Sequence, residues 1–172
     1  MCPQTVAHAL DGWRAAERRW VATHRDDPVF RTASIGLISA WLDYQVATGG
    51  FDPGCVVLVA DDDQRYVAVV GDLRSLLGYE PEELLGRRVQ ELTAPALAGS
   101  TPSQWQRFVA DGRQEGGYRM LDREGREVDI RFVATANHPI PEYHLSRIWP
   151  IKAAPTDLEP ELASALTKFA PT

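Results

Sequence analysis

Four histidines, two cysteines and one run of three aspartates are the side chains in this sequence whose types could carry chemistry. His138 and His144 flank Glu142, a trio with the donor atoms for a metal or a haem iron. They fall on a loop and on the strand after it, read as an edge strand, where histidines are usually solvated, so no ligation is expected. His8 and His24 fall on an expected N-terminal helix, at its surface. Cys2 and Cys55 are too few for a disulfide framework and lack the CxxC or Cys/His spacing of zinc sites. Cys55 opens an apolar run, where a small buried thiol fits. Asp61, Asp62 and Asp63 offer carboxylates to calcium, but the spaced ligands and terminal glutamate of a calcium loop are missing. A hairpin turn is the expected reading of that run. No serine sits in a G-x-S-x-G context, and neither HExxH nor a glycine-rich phosphate loop occurs. The residues therefore predict a non-catalytic protein without a metal site.

Composition narrows the class further. A chain of 172 residues holds one ordinary domain and an extension. Its 44% hydrophobic and 24% charged residues are those of a soluble globular protein that needs no staples. A net charge of −6 argues against a nucleic-acid partner, which calls for clustered Lys and Arg. The basic clusters at Arg14–Arg19 and Arg87–Arg88 stand beside glutamates and read as solvated surface. No run of about 18 apolar residues suggests a membrane span, and no signal-peptide pattern opens the chain. A cytoplasmic, reduced protein is expected.

The elements that must position these residues change character near Cys55. Before it, residues 5–48 read as helix. Val6, Leu10, Trp13 and Trp20 form one apolar stripe, and Phe30, Leu37, Ile38, Trp41, Leu42 and Tyr44 form a second. Asp27 followed by Pro28 predicts the N-cap of the second helix, and Gly49-Gly50 its end. After Cys55 the runs Cys55–Ala60 and Arg65–Val70 predict a β-hairpin. Short helical pieces follow from Asp72 to Leu92, then a loop through Pro102, then a helix from Ser103 to Gly112 with Trp105, Phe108 and Val109 on one side. Strands are expected over Gly117–Arg123, Arg126–Ala136 and Glu142–Ile151. The divisions are a helical extension over residues 1–50, a domain over 51–153, and a tail over 154–172 with a short helix from Leu158 to Phe169. The order predicts an α+β class with an antiparallel sheet.

Two blocks carry a family resemblance. Leu76 to Leu92, LLGYEPEELLGRRVQEL, resembles the connector between two short helices in the PAS family. Gly117 to Val128, GYRMLDREGREV, is similar to that family's strand, tight turn and returning strand. The resemblance covers Cys55 to Lys152. It implies a five-stranded antiparallel sheet with short helices on one face, here preceded by N-terminal helices. Gly78 and Gly86 end one-turn helices, and Pro81 with Glu82 and Glu83 suits the start of the next one. The chain departs from the family where many members carry an asparagine after the second strand. Val70-Gly71-Asp72 stands there, and Asp72 offers itself as the cap. No cysteine lies in the helical middle, so the resemblance implies neither cysteinyl-flavin nor thioester photochemistry. The expected pocket helix holds no histidine, which disfavours haem bound from that helix. The cofactor is unknown.

By the same resemblance a pocket lies between sheet and helices. Its candidates are Leu76, Leu77, Val89, Leu92, Trp105, Phe108 and Val109, with Met120, Ile130 and Phe132 from the strands by period-two alternation. Tyr118 and Trp149 are the expected polar handles. All of these positions also read as ordinary core. The expected function is a non-catalytic sensory module for signal transduction. It would bind a small, rather apolar ligand, a protein partner, or both. Output would pass through a homodimer formed by the N-terminal helices or through an unknown downstream protein, because Trp13 and Trp20 need cover from the sheet, the second helix or a partner chain. The alternatives are a ligand-free dimerisation or adaptor domain, and a cone-shaped α+β isomerase-like enzyme. The enzyme would need Asp129 and His144 together in a cavity, yet Asp129 alternates out of phase with Ile130 and Phe132.

Overall fold

The computed structural model describes residues 3–99 and 101–151, so Lys152 and the expected tail helix from Leu158 to Phe169 lie outside the described residues. The described residues form two compact units that divide between Pro53 and Gly54. No helix among the described residues is long and apolar enough to cross a membrane.

The first unit pairs α1 (Pro3–Val21) with α2 (Phe30–Thr48). Stripe meets stripe: the Trp13 ring lies 5.0 Å from that of Tyr44, and Trp20 lies 6.0 Å from Phe30. The Trp20 indole donates to Ser34 Oγ at 3.0 Å, so its one polar atom is satisfied as the ring is covered. Of the three covers expected for the tryptophans, α2 supplies these contacts. The start of α2 corrects the sequence reading. Asp27 is not the N-cap; its carboxylate accepts Val29 N–H at 2.9 Å, closing a turn that contains Pro28, and the helix begins at Phe30. The end is as expected. Gly49 takes φ +72°, and Gly50 N–H donates to the Gln45 carbonyl at 2.8 Å.

In the second unit β1 (Val56–Asp61) and β2 (Tyr66–Val70) form the first hairpin. α3 (Leu73–Leu77), α4 (Pro81–Leu84), a 3-10 turn (Val89–Leu92) and α5 (Pro95–Ala98) follow, each about one turn long. α6 (Thr101–Asp111) leads to β3 (Arg113–Leu121), β4 (Glu127–Thr135) and β5 (Tyr143–Pro150). All strand pairs are antiparallel, in the order β2-β1-β5-β4-β3. The α+β class with a five-stranded sheet and N-terminal helices is thus as the sequence predicts. α6 starts at Thr101 rather than Ser103, and α5 occupies part of the expected loop. β3 starts at Arg113, four residues early, because its pairing with β4 runs on past Gly116 and Gly117.

Local chemistry fixes the short helices. Asp72 Oδ1 accepts Ser75 N–H at 3.0 Å, so this aspartate caps α3. Glu83 reaches back to Glu80 N–H at 2.8 Å with Pro81 at the first helical position of α4. Tyr79 is buried and donates its hydroxyl to the Asp122 carbonyl at 3.1 Å, tying the connector to the β3–β4 turn. Leu73, Leu77, Leu84 and Leu92 from these pieces meet Val56, Leu58, Ile130 and Ile148 from the sheet in one core.

Leu77→Ala is expected to cost about 2–5 kcal/mol in urea denaturation, because the side chain is fully buried and its neighbours are held by other contacts. Asp122 supplies a pH signature. Its carboxylate accepts Glu124 N–H at 3.0 Å, Arg126 N–H at 2.8 Å and Arg126 Nε at 2.7 Å. Desolvation opposes ionisation, but the Arg126 and Glu124 hydrogen bonds outweigh it and hold the carboxyl below its ordinary value. A lowered folded-state pKa stabilises the fold above the unfolded carboxyl's pKa of about 3.9 and loses that contribution as pH falls through the folded value. Asp122→Ala is therefore expected to lower the melting temperature at pH 7, with the difference from wild type shrinking below about pH 3.9. Circular dichroism melts at both pH values check this.

Candidate functional site

The inner face of the sheet is set by alternation. Val56, Leu58 and Ala60 of β1, Ile130, Phe132 and Ala134 of β4, and His144, Ser146 and Ile148 of β5 share it. The one-turn helices fill one part of this face. α6 covers another, and between them lies a cavity of about 110 Å³ that is partly open to solvent. Its wall is mostly apolar and aromatic. Trp105 and Phe108 project from α6, one turn apart, with rings 5.7 Å from each other. Tyr118 and Phe132 meet edge to face at 6.0 Å across β3 and β4. Met120, Ile130 and Val89 complete this side.

Seven of the residues named from sequence line this cavity: Val89, Trp105, Phe108, Tyr118, Met120, Ile130 and Phe132. Five do not. Leu77 and Leu92 are buried in the core, and Leu76 packs at its margin. Val109 packs beside Phe108 in a small cluster with Ala134 and Ala136. Trp149 is not a polar handle of the cavity. Ile148 faces inward, so period-two alternation turns its neighbour to the opposite face, where Trp149 pairs with Arg131 and takes the Arg147 guanidinium 5.8 Å from its ring centroid.

His144, expected to be solvated, is buried. The strand after the His138 loop is not an edge: β5 is central, paired with β1 and β4, so a side chain on its inner face is buried. The His144 ring stands 5.0 Å from Trp105 and 5.6 Å from Phe108. Its Nδ1 accepts Asn137 N–H at 3.2 Å, and its Nε2 lies 2.8 Å from Asp62 Oδ1. An acceptor Nδ1 leaves the ring proton on Nε2, which therefore donates to Asp62. Both nitrogens are engaged, so the ring offers neither a free base nor a free ligand atom to the cavity. Period two from Ile148 through Ser146 was the signal that could have found it. His138 is outside the cavity; burial, with the Arg147 charge second, pushes its imidazole below the ordinary value. Among the described residues no cluster of three or more His, Cys, Asp or Glu is placed to hold a metal. Asp129, the other half of the enzyme alternative, lies on the opposite face and accepts from Arg119 Nε at 2.7 Å.

The polar groups of the cavity are few and neutral. Tyr66 is 5% exposed, and burial, with the neighbouring Tyr118 second, pushes its phenol above the ordinary value, which keeps it protonated. Tyr118 Oη lies 2.9 Å from Thr93 Oγ1, which in turn donates to the Val89 carbonyl at 3.0 Å. Gln104, Gln114, Thr101 and Ser146 add amides and hydroxyls, and among the described residues no Lys or Arg lines the space. At about 110 Å³ the cavity is well below the roughly 300–1,000 Å³ of pockets that hold drug-sized ligands, so its residues do not fit a haem or a flavin.

An antiparallel sheet in this order, with one-turn helices and a longer helix over one face, defines an α+β fold of the PAS type. A family profile described as the PAS fold matches residues 52–142, more than half of the chain. The chain belongs to the PAS fold family. Among solved structures it is similar to a PAS domain from Colwellia psychrerythraea, at 20% identity and a TM-score of 0.55, covering 64% of this chain and 98% of that one. It is also similar to a domain of a sensory box sensor histidine kinase/response regulator from Geobacter sulfurreducens, at 16% identity and a TM-score of 0.52, covering 63% of this chain and 96% of that one. A third is the PAS domain of the quorum-sensing receptor RpfR from Cronobacter turicensis in complex with C12:0, at 17% identity and a TM-score of 0.50, covering 59% of this chain and 98% of that one. A search among curated proteins returned no match.

Replacing His144 by Ala is expected to cost about 1–3 kcal/mol in urea denaturation, because it strands Asn137 N–H and strips two aromatic rings of their partner. A smaller loss than about 0.5 kcal/mol would contradict the buried, doubly bonded geometry.

Proposed function

We propose that this chain is a non-catalytic sensory module of the PAS type, in which the cavity between α6 and the sheet takes a small, rather apolar ligand. The observation that carries this reading is the cavity itself: apolar walls, a few neutral polar groups, and a partly open mouth within an otherwise close-packed core. Likeness in fold to a PAS domain of a receptor in complex with C12:0, and to a domain of a sensor histidine kinase, supports it by analogy. Enzyme chemistry finds no support in the side chains, since His144 has both nitrogens bonded and Asp129 faces away.

Binding would act by shifting the population between two packings of α6 against the sheet. The α1–α2 pair then carries the output, through dimerisation or a downstream signalling protein. Its tryptophans do not themselves call for a second copy, because Trp13 and Trp20 already contact α2. Light scattering on the full chain decides between these forms, and a monomeric mass removes the dimer.

The ligand is tested by denaturing extraction and mass spectrometry of the purified protein, together with thermal shifts against a library of small apolar compounds. Stabilisation by at least one compound is expected, about 2.7 kcal/mol at a hundredfold excess over Kd. Ser146→Phe is expected to fill the space and abolish that shift while the chain still folds. Persistence of every shift in Ser146→Phe would place binding elsewhere and end the cavity reading.

A further inference from the structure

The hydrogen-bonding state of the cavity narrows the ligand beyond "small and apolar", and the step rests on the cavity reading proposed above. Thr93 has one hydroxyl proton, and a carbonyl can only accept. Its 3.0 Å contact with the Val89 carbonyl and its 2.9 Å contact with Tyr118 are both hydrogen bonds only when Tyr118 is the donor in the second. The Tyr118 proton is then spent, and the oxygen of this cavity-lining residue is left as an acceptor. Tyr66 is the reverse case. Among the described residues nothing bonds its hydroxyl, although the side chain is 5% exposed and lines the same space. The hydroxyl itself reaches the open space of the cavity, so its proton is available to a molecule bound there. The Tyr66 donor and the Tyr118 acceptor thus stand near each other, with the Ser146 hydroxyl and the Gln114 amide also unbonded on the wall, and among the described residues no cationic side chain lines the space to balance a carboxylate.

Size and wall chemistry fix the remainder. About 110 Å³ is somewhat below the roughly 150 Å³ that takes a benzene ring in an apolar protein interior. A chain as long as C12:0 does not fit within it. Trp105 and Phe108 already stand edge to face, the arrangement that extends to a further ring. We infer that the cavity is a site for a neutral, single-ring compound carrying one hydroxyl, a phenol in size and kind, whose hydroxyl accepts from Tyr66 and donates to Tyr118.

Isothermal titration of the full chain with phenol, toluene, benzoate and dodecanoate at pH 7 tests this, on wild type and on Tyr66→Phe. Phenol is expected to bind, toluene to bind roughly tenfold more weakly, and benzoate and dodecanoate to give no heat of binding. Tyr66→Phe is expected to weaken phenol by roughly tenfold and to leave toluene unchanged. Should that variant fail to fold by circular dichroism, Tyr118→Phe carries the same expectation. Equal affinities for phenol and toluene, or a Tyr66→Phe variant with unaltered phenol affinity, overturn the hydroxyl assignment and leave the cavity reading standing. Dodecanoate binding in place of phenol overturns the single-ring class alone. Silence from all four probes overturns the inference, and when joined to an absence of any co-purifying compound or library hit it overturns the cavity reading as well.

Discussion

Main-chain hydrogen bonds pin the segment from Leu77 to Ala94 to both edges of the sheet, and the interior is shaped by that constraint. On the β2 edge Gly86 N–H donates to the Tyr66 carbonyl at 2.8 Å, Tyr66 N–H to Arg87 at 3.0 Å, and Val89 N–H to Gln64 at 2.9 Å. On the β3 side Ala94 N–H donates to Arg119 at 3.1 Å, and Arg123 N–H, just beyond the strand, to Leu77 at 2.9 Å. The segment thus spans the sheet like a strap fastened at its two rims. Two consequences follow at once. Edge strands that would otherwise offer free N–H and C=O groups are partly occupied. The strap's height above the sheet is fixed by backbone geometry, so side chains must fit the gap rather than draw it closed.

One-turn helices cannot close such a gap completely. A four- or five-residue piece projects one or two side chains downward, and here these are Leu73, Leu77, Leu84 and Leu92, which pack the part of the face nearest Val56 and Ile148. The part under α6 receives Phe108 and Trp105 instead, and opposite them the sheet presents Ala60, Ala134 and Ser146. Three small side chains at inward positions leave the volume that three leucines would fill. The cavity is in this sense written as much by what β1, β4 and β5 withhold as by the aromatic groups that surround it. His144 follows from the same arrangement, since a flat ring slots between two others and its nitrogens find Asn137 and Asp62 at the end of the strand.

The fold was legible in the sequence because its strongest signals are local. Gly78 and Gly86, at φ +75° and +84°, end short helices, and Pro81 starts one. Alternation in Arg126–Ala136 was enough to place Ile130 and Phe132 inward. What sequence could not supply is strand order. Sequence alone reads the last strand as an edge, whereas pairing with both β1 and β4 makes β5 the middle of the sheet, and that non-local fact buries His144. The same gap explains Leu77 and Leu92. Their apolar character was plain, but whether an apolar side chain meets a leucine or a void depends on the residue across the interior. At Asp27-Pro28 the error was local and of another kind: an aspartate that caps a turn and one that caps a helix look alike until the next residues declare their dihedrals.

Filling a closed apolar space of about 110 Å³ is worth on the order of 2–3 kcal/mol, and less where, as here, the space opens in part to solvent. That is a large share of the roughly 5–15 kcal/mol by which a domain is stable. A ligand present at a hundredfold its Kd contributes about 2.7 kcal/mol, which is the same size. If the cavity takes a ligand as proposed, binding therefore supplies enough to change which packing dominates and too little to decide whether the domain folds. The element best placed to respond is α6. It is held by side-chain contacts of Trp105 and Phe108 against His144, whereas the strap before it is held by backbone bonds at both rims. On the proposed reading, a molecule bound beneath α6 bears on the weaker attachment and leaves the stronger one unchanged, the mechanical asymmetry a sensor requires.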